Sequence, residues 1–203
     1  MKARILVIVL SCVMLAVAGW LGADKWTFLG STPGPGARFG HSMVEHGGKA
    51  YAFGGANESG VELNDLWAFD RGPNKWERPQ PNNDPPPDRQ GHAAAVLGDK
   101  MYVYGGHRGS SNGMKYMWTY DFAAKTWTED WDDPQPSRRT NGAMVTIGGR
   151  LWYFGGRLRD GSAIHGDLWV YDPATGNWVQ KASIPAGKER YGHSAFVAGG
   201  KLW

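Results

Sequence analysis

The sequence predicts an all-β protein assembled from repeated four-stranded sheets, and three observations lead to this fold class. The first is composition: the 203 residues include 30 Gly, 12 Pro, 11 Trp and 8 Tyr. Glycine and proline form turns, whereas aromatic residues favour strands. The second is a spacing of two between aromatic residues within short segments, which places them on one face of a strand. The third is that these segments recur about every 50 residues.

The repeat is defined by glycine pairs and tryptophans that keep one period. Three Gly-Gly pairs are separated by 51 and 50 residues, namely Gly54-Gly55, Gly105-Gly106 and Gly155-Gly156. Two series of tryptophans are each spaced by 51 residues: Trp67, Trp118 and Trp169, and then Trp76, Trp127 and Trp178. One period shared by independent landmarks indicates successive copies of a single structural unit.

Each period contains four segments with the character of strands. The first is rich in small residues ("GHSMV"), the second ends at the glycine pair ("KAYAFGG"), the third closes on an aspartate ("DLWAFD"), and the fourth carries the second tryptophan. We expect the glycine pair to adopt backbone angles that other residues avoid. We expect the aspartate to begin a turn by accepting hydrogen bonds from the backbone that follows it. Four antiparallel strands in such a period make one blade of a β-propeller.

These segments resemble the repeats of the kelch family through the glycine pair, the spaced aromatic residues and the later tryptophan. The resemblance covers Trp26 to Trp203. It implies a kelch-type β-propeller with three complete four-stranded blades, at residues 38–88, 89–138 and 139–189, and partial blades at each end. A fourth repeat begins at residue 190, and "KWTFLGS" near Trp26 resembles the last strand of a preceding blade. We therefore expect residues 19–203 to be part of a longer propeller.

Residues 1–18 are predicted to be a secretory signal peptide. Lys2 and Arg4 precede an apolar run from Ile5 to Ala18 that ends in small residues. The protein is then expected to be secreted or periplasmic, and the alternative is an uncleaved segment that anchors it to a membrane. Removing Lys2 and Arg4 from the 22 basic residues leaves 20, against 19 acidic residues. With this balance and no basic run, we expect no nucleic-acid partner.

Residues found at the same point of every repeat are interpreted as framework, because a single chemical site needs only one copy. An arginine and a histidine begin each repeat, with Gly142 in place of the third histidine. We expect both residues to bond backbone between blades. Since the first strands diverge around a ring, no metal is expected at these histidines. The predicted framework residues are Arg38, His41, Gly54, Gly55, Trp67, Trp76, Arg89, His92, Gly105, Gly106, Trp118, Trp127, Arg139, Gly155, Gly156, Trp169, Trp178, Arg190 and His193.

Residues that break the repeat are better candidates for ligand binding, and they lie on long loops that we expect to emerge on one face. Basic side chains there would bind carboxylate, sulfate or phosphate groups. Trp131 beside Asp130 would stack on a sugar. The alternative is that these residues are solvated loop decoration. The candidate ligand-binding residues are His107, Arg108, Lys115, Arg157, Arg159, Asp160, His165 and Trp131.

The sequence thus predicts an exported, non-catalytic binding module for a protein or glycan on the long-loop face, without cofactor or metal. The alternative, within the resemblance, is a mutarotase or epimerase of the sialic acid mutarotase type, which uses an acid–base pair in a central pocket. No single glutamate stands out as such an acid. Copper chemistry of the galactose oxidase type needs a cysteine–tyrosine crosslink. The mature chain has no cysteine, because Cys12 lies within the signal peptide.

Overall fold

The computed structural model describes residues 34–131 and 134–203. These residues form fifteen strands in four antiparallel sheets, which confirms the all-β class. The predicted signal peptide and the strand expected near Trp26 lie outside the described residues. Within the two described ranges, no helix is long and apolar enough to cross a membrane.

Three of the sheets are successive blades of the kelch type. Blade 1 contains β1 (Arg38–Phe39), β2 (Ser42–His46), β3 (Lys49–Asn57), β4 (Glu62–Asp70) and β5 (Lys75–Glu77). Their order in the sheet is β1-β3-β4-β5, and β2 also pairs with β3. Blade 2 follows with β6 (Gln90–Leu97), β7 (Lys100–His107), β8 (Met117–Asp121) and β9 (Thr126–Asp130). Blade 3 contains β10 (Ala143–Ile147), β11 (Arg150–Phe154), β12 (Leu168–Asp172) and β13 (Asn177–Lys181). The start of the next repeat forms a hairpin of β14 (Val197–Ala198) and β15 (Lys201–Leu202).

The hydrophobic core lies between the faces of consecutive blades. Blades 1 and 2 bury one cluster, which consists of Phe53, Leu66, Met101, Val103, Tyr120 and Trp127. Blades 2 and 3 bury a second cluster, which consists of Ala93, Ala95, Tyr102, Tyr104, Met117, Met144, Leu151, Tyr153, Tyr171 and Trp178. Each face packs against the next sheet because its aromatic residues alternate with period two. The stacking of blades therefore depends on the repeat that the sequence displays.

The second glycine of each of the first two pairs sits where the second strand of its blade lies against the beginning of the same repeat. Gly106 has a φ of +91°, and a Cβ at this position would lie 2.9 Å from the carbonyl oxygen of Gln90. Gly55 repeats this arrangement, with a φ of +91° and a Cβ position 2.7 Å from the carbonyl oxygen of Phe39. Neither the backbone angle nor the space admits a side chain. The predicted need for glycine is confirmed.

The aspartates that close the third strands begin turns, as predicted. The Asp121 carboxylate accepts hydrogen bonds from the backbone N–H groups of Ala123 at 3.0 Å and Ala124 at 2.8 Å. Asp172 accepts from the N–H of Ala174 at 3.1 Å. These bonds satisfy backbone donors that the tight turn leaves outside the ladder. The turns lie at the end of each blade opposite to the long loops.

Candidate functional site

The repeated arginines form buried ion pairs within their own blades. Arg139, which is only 1% exposed, donates to the Gly155 carbonyl at 3.2 Å and pairs with Asp167 at 2.5 Å. Arg38 pairs with Asp65 at 2.7 Å in the same way. Two-pronged arginine–carboxylate contacts of this kind fix both position and orientation. They hold the end of the second strand and the start of the third strand, between which the long loops emerge.

Contact between blades comes from the main chain of these arginines rather than from their side chains. The Gly55 N–H donates to the carbonyl of Arg89 at 2.9 Å, and the Gly106 N–H donates to the carbonyl of Arg139 at 3.0 Å. Each donor belongs to one blade and each acceptor begins the next repeat. The expected bond between blades therefore exists, but it does not use the guanidinium group. In Arg89 and Arg139, the guanidinium group binds within its own blade, and the main-chain carbonyl accepts a hydrogen bond from the preceding blade.

Blade 2 departs from this pattern, because Tyr116 stands where blades 1 and 3 have the pairing aspartate. Arg89 is nevertheless 1% exposed and donates to the Gly105 carbonyl at 3.1 Å. Burial lowers the pKa of Arg89 to about 10, and the charge of Glu129 opposes that shift. Burial likewise raises the pKa of Glu129, whereas Arg89 lowers it. Glu129, on the neighbouring strand β9, thus supplies the negative charge that the aspartate provides in the other blades.

The repeated histidine of blade 2 connects its blade to blade 1 and stays neutral. The His92 Nε2 lies 2.9 Å from the hydroxyl of Ser42 in blade 1. Burial, followed by the charge of Arg89, lowers the pKa of His92 to about 3. At Gly142, a Cβ would collide with the hydroxyl of Tyr153, which explains why blade 3 has no histidine there. In residues 34–131 and 134–203, no group of three or more His, Cys, Asp or Glu could hold a metal ion.

A row of main-chain hydrogen bonds joins the beginnings of four successive repeats. The N–H of Gly91 donates to the carbonyl of Gly40 at 2.8 Å, that of Asn141 to Gly91 at 2.7 Å, and that of Gly192 to Asn141 at 2.8 Å. The four residues have φ values between 57° and 66°, a region that glycine and asparagine tolerate. The row holds the blades side by side at the edge from which the long loops leave.

The residue before each member of this row lies opposite the first residue of a long loop. Gln90 is paired with His107, and Thr140 with Arg157. This register brings three of the predicted ligand-binding residues to one place, beside Tyr191 of the next repeat. We call this group the mouth cluster, and it consists of His107, Thr140, Arg157, Arg159 and Tyr191.

The mouth cluster is held by short contacts. The His107 Nδ1 lies 3.2 Å from the Thr140 hydroxyl, and Thr140 and Arg157 exchange main-chain hydrogen bonds of 2.8 and 2.9 Å. The Arg157 guanidinium carbon lies 4.2 Å from the centre of the Tyr191 ring, within the range of a cation–π contact. The Arg157 Nε is buried and has no hydrogen-bond partner among the described residues. A buried donor in this state is costly unless a ligand supplies an acceptor.

The electrostatics of the mouth cluster favour a negatively charged group. Burial lowers the pKa of His107, and the charges of Arg159 and Arg157 lower it further, so the imidazole is neutral near pH 7. The nearby Glu62 carboxylate accepts two hydrogen bonds, from the Gln90 side chain at 3.1 Å and from the Gly109 N–H at 3.1 Å. These bonds outweigh desolvation and lower its pKa. The cluster thus presents two guanidinium groups beside one ionised carboxylate, Glu62, so positive charge prevails by one unit.

Two of the predicted binding residues are directed away from the mouth cluster. Arg108 pairs with Asp88 of the connection between blades 1 and 2 at 3.0 Å. Asp160 accepts a hydrogen bond of 2.6 Å from the Asn112 side chain, which joins the loops of blades 2 and 3. Both are exposed, and their contacts hold the loops in place.

The other three predicted residues lie nearer the periphery. Lys115 and His165 line a shallow groove of about 570 Å³ together with Ser137 and Arg138. Trp131 is 62% exposed, and its ring centre lies 4.4 Å from that of Tyr116. The predicted single basic patch is therefore divided into a mouth cluster and a separate peripheral groove.

Sequence reasoning missed Thr140, Tyr191 and Glu62 as members of the site or its immediate surroundings. A signal for the first two was available. The position after the framework arginine is occupied in turn by Phe39, Gln90, Thr140 and Tyr191, so it varies inside an otherwise constant motif. The criterion that selected the long loops, variation against a repeated background, applies to this position as well.

Comparison with known proteins agrees with the fold. A family model described as the KLHDC2/KLHL20/DRC7 Kelch-repeats domain matches residues 22–203. Kelch domain-containing protein 3 of Bos taurus is 31% identical over 179 residues, which are 83% of this chain and 47% of that protein. Host cell factor 2 of Homo sapiens is 32% identical over 149 residues, 61% of this chain and 19% of that protein. N-(sulfonatooxy)prop-2-enimidothioate sulfolyase of Thlaspi arvense is 29% identical over 184 residues, 86% of this chain and 52% of that protein.

The chain spans about half the length of the kelch domain-containing protein 3 sequences that it matches. The matched family model extends over nearly the whole chain. Glycine pairs, buried arginines and paired tryptophans recur in three successive antiparallel sheets. On these grounds the chain belongs to the kelch-repeat family.

Proposed function

We propose that this chain is a non-catalytic binding module that holds a protein partner at the mouth cluster through an acidic segment of that partner. The observation that carries the proposal is the buried Arg157 Nε, which has no hydrogen-bond partner among the described residues. A carboxylate oxygen is the acceptor that suits this donor best, because charge-assisted hydrogen bonds are about twice as strong as neutral ones. Arg159, exposed on the same loop, would contact the second oxygen or a neighbouring acidic residue.

Two of the kelch relatives support a role in protein interaction, whereas the sulfolyase is an enzyme by its name. Kelch domain-containing protein 3 and host cell factor 2 share the repeat with this chain, and a rigid scaffold that presents variable loops is typical of binding proteins. Fold alone does not decide function, so the proposal depends on the mouth cluster. The surface there is polar and basic, which favours an acidic segment over an apolar one.

The carboxylate that interacts with the mouth cluster does not support the mutarotase alternative. An acid catalyst needs a carboxyl group whose pKa is raised toward neutrality. Glu62 is the carboxylate that interacts with His107 of the mouth cluster, and hydrogen bonds lower its pKa. It is ionised at neutral pH and already holds two donors, so it does not have the properties of such an acid.

Charge reversal at Arg159 tests the proposed function. Arg159→Glu places a carboxylate beside Arg157 without disturbing a buried contact, because the side chain is exposed. We expect a fluorescent oligo-glutamate peptide, followed by anisotropy, to bind at least about tenfold more weakly, which corresponds to the loss of a charge-assisted contact. Affinity for the wild-type chain should also fall with added salt.

The matched control is Arg71→Glu, which makes the same change of charge in the exposed turn at the opposite end of blade 1. It should leave peptide binding unchanged. If Arg71→Glu and Arg159→Glu weaken binding equally, the peptide responds to net charge only and the mouth cluster is not the site. If neither variant changes the affinity, the proposal is wrong.

Export is also proposed, on the support of the predicted signal peptide alone. Amino-terminal sequencing of the protein secreted by its natural host should begin after Ala18. Recovery of the intact amino terminus in the membrane fraction would instead support the alternative of an uncleaved anchor.

A further inference from the structure

Blades 2 and 3 are separated at their outer edge by a cleft of about 490 Å³, here called the 2/3 cleft. One wall is formed by the outer strands β8 and β9 of blade 2. The other is formed by Tyr171 and Pro173 at the end of β12 in blade 3. Its volume lies within the range of small-molecule binding sites. The cleft is distinct from the mouth cluster, and none of its lining residues belongs to that cluster.

The cleft lies where the preceding junction between blades is filled by an aromatic side chain. Between blades 1 and 2, the ring of Phe122 packs against Tyr51 with centres 4.7 Å apart and stacks on His46 at 4.0 Å. Phe122 directly follows the aspartate that closes the third strand of its blade. Pro173 occupies this position in blade 3. The smaller side chain leaves the space in front of Tyr102, the counterpart of Tyr51, unfilled.

The walls of the cleft are polar, but their charges are largely engaged. The hydroxyl-bearing lining residues are Thr119, Thr126, Thr128, Tyr102 and Tyr171. Asp121 accepts two backbone N–H groups, and Asp130 accepts the Tyr171 hydroxyl at 3.0 Å. Glu129 balances the buried Arg89, and Lys100 adds a positive charge. The three lining carboxylates exceed Lys100 and the buried Arg89 by one negative charge. The cleft therefore offers many hydrogen-bond acceptors, which suit a ligand with many hydroxyl groups.

An aromatic surface stands at one end of the cleft. Trp131 lines it and is 62% exposed, and its contact with Tyr116 at 4.4 Å fixes the orientation of the ring. The electron-rich face of an indole attracts weakly positive C–H groups. A sugar ring has such C–H groups on one face and hydroxyls around its edge. It would therefore contact Trp131 with that face and the lining residues Thr119, Thr126 and Thr128 with its hydroxyls.

We propose that the 2/3 cleft is a carbohydrate-binding site for a neutral disaccharide unit, with Trp131 as the stacking surface and the threonine and carboxylate oxygens as hydrogen-bonding partners. The site is independent of the proposed protein-binding function, because it lies on a different surface and takes a neutral sugar rather than an acidic protein segment. Its position at the outer edge would allow both ligands to be held at once.

Refilling the cleft tests this proposal. Pro173→Phe restores the side chain that closes the equivalent space between blades 1 and 2, and Ala174→Phe adds the same ring at the next, exposed position. Binding of cellobiose, lactose and chitobiose to the full chain would be measured by saturation-transfer NMR. We expect at least one of them to bind with a dissociation constant below about 10 mM. Pro173→Phe should weaken this binding at least about tenfold, and Ala174→Phe should not.

Trp131→Ala provides a second variant, because an exposed side chain can be truncated without affecting the core. It should also weaken binding, while its urea unfolding curve stays that of the wild type. The proposal is overturned if none of the three disaccharides binds, or if Pro173→Phe and Ala174→Phe behave alike. Binding of an oligo-lysine peptide in place of any sugar would show instead that the carboxylates dominate the cleft. The mouth cluster variants should leave sugar binding unchanged, so the two proposals can fail separately.

Discussion

Arg139 and Asp167 form a two-pronged ion pair, in which Nη1–Oδ1 is 2.5 Å and Nη2–Oδ2 is 3.0 Å. Arg139 also donates to the Gly155 carbonyl, so one buried cation joins the end of β11 to the start of β12. Although burial raises the pKa of Asp167, the hydrogen bonds and charge of Arg139 outweigh it and the pKa is lowered. The loop that carries Arg157 and Arg159 runs between these two anchored points.

Removing one partner of this pair should be strongly destabilising. Asp167→Ala leaves Arg139 buried without its counter-ion, and such changes cost about 3–5 kcal/mol. The comparison is Arg150→Ala, whose pair with Asp172 is largely exposed and should contribute about 0–1 kcal/mol. Urea unfolding of both variants measures the difference. Equal losses in the free energy of unfolding would mean that the buried Arg139 pair contributes no more to stability than the exposed Arg150 pair.

The buried histidines predict a loss of stability in mild acid. The pKa of His92 is about 3 in the folded chain, against about 6.5 when unfolded. Above pH 6.5 both states are neutral. Between pH 6.5 and about 3, the unfolded state binds one more proton, so the free energy of unfolding falls as pH falls. The slope from one such histidine is about 1.4 kcal/mol per pH unit.

His92→Gln should flatten this dependence, because glutamine keeps a side-chain partner for Ser42 without titrating. The measurement is the free energy of unfolding at pH 7.5 and pH 5, compared between the variant and the wild type. His41 and His193, whose pKa values are also lowered by burial, should leave a remaining slope of the same sign. An identical slope in the variant and the wild type would contradict the buried neutral state of His92.

Two glycines with positive φ should respond very differently to alanine. At Gly106, a Cβ would lie 2.9 Å from the Gln90 carbonyl oxygen and 3.0 Å from the His92 Cβ, and neither can move without separating strands β6 and β7 of blade 2. Gly98 in the turn between β6 and β7 has a φ of +59° and open space around it. Gly98→Ala should cost about 1–2 kcal/mol from backbone strain alone. Gly106→Ala should cost clearly more, as a lower midpoint in urea would show.

The blades could be predicted from the repeat because each copy has to satisfy the same physical constraints. A glycine appears wherever blades touch, an aspartate wherever a third strand turns, and a tryptophan wherever a fourth strand packs inward. Trp127 and Trp178, each 3% exposed, occupy equivalent places in the two interblade clusters. Four or more residues that agree at one spacing leave little room for another fold.

The site was only partly predictable because loops carry no such repetition. Arg108 and His107 are adjacent in sequence, yet one pairs with Asp88 and the other faces Thr140. Those directions depend on contacts between segments about 20 and 33 residues apart, which local patterns do not encode. The role of Glu129 was hidden for the same reason, since it compensates for Tyr116 from a different strand.

Asn83 closes the outer edge of blade 2, and its removal should expose that edge. Its side-chain amide donates to the Trp127 carbonyl at 2.7 Å and accepts from the Trp127 N–H at 2.8 Å, as a neighbouring strand would. Asn83→Ala should cost about 1–3 kcal/mol by leaving both backbone groups unpaired. It should also promote association through the open edge of β9. Asp84→Ala, an exposed change one residue further along, should do neither. Urea unfolding and light scattering at several protein concentrations check both effects. Wild-type behaviour of Asn83→Ala in both measurements would show that the edge is protected by other means.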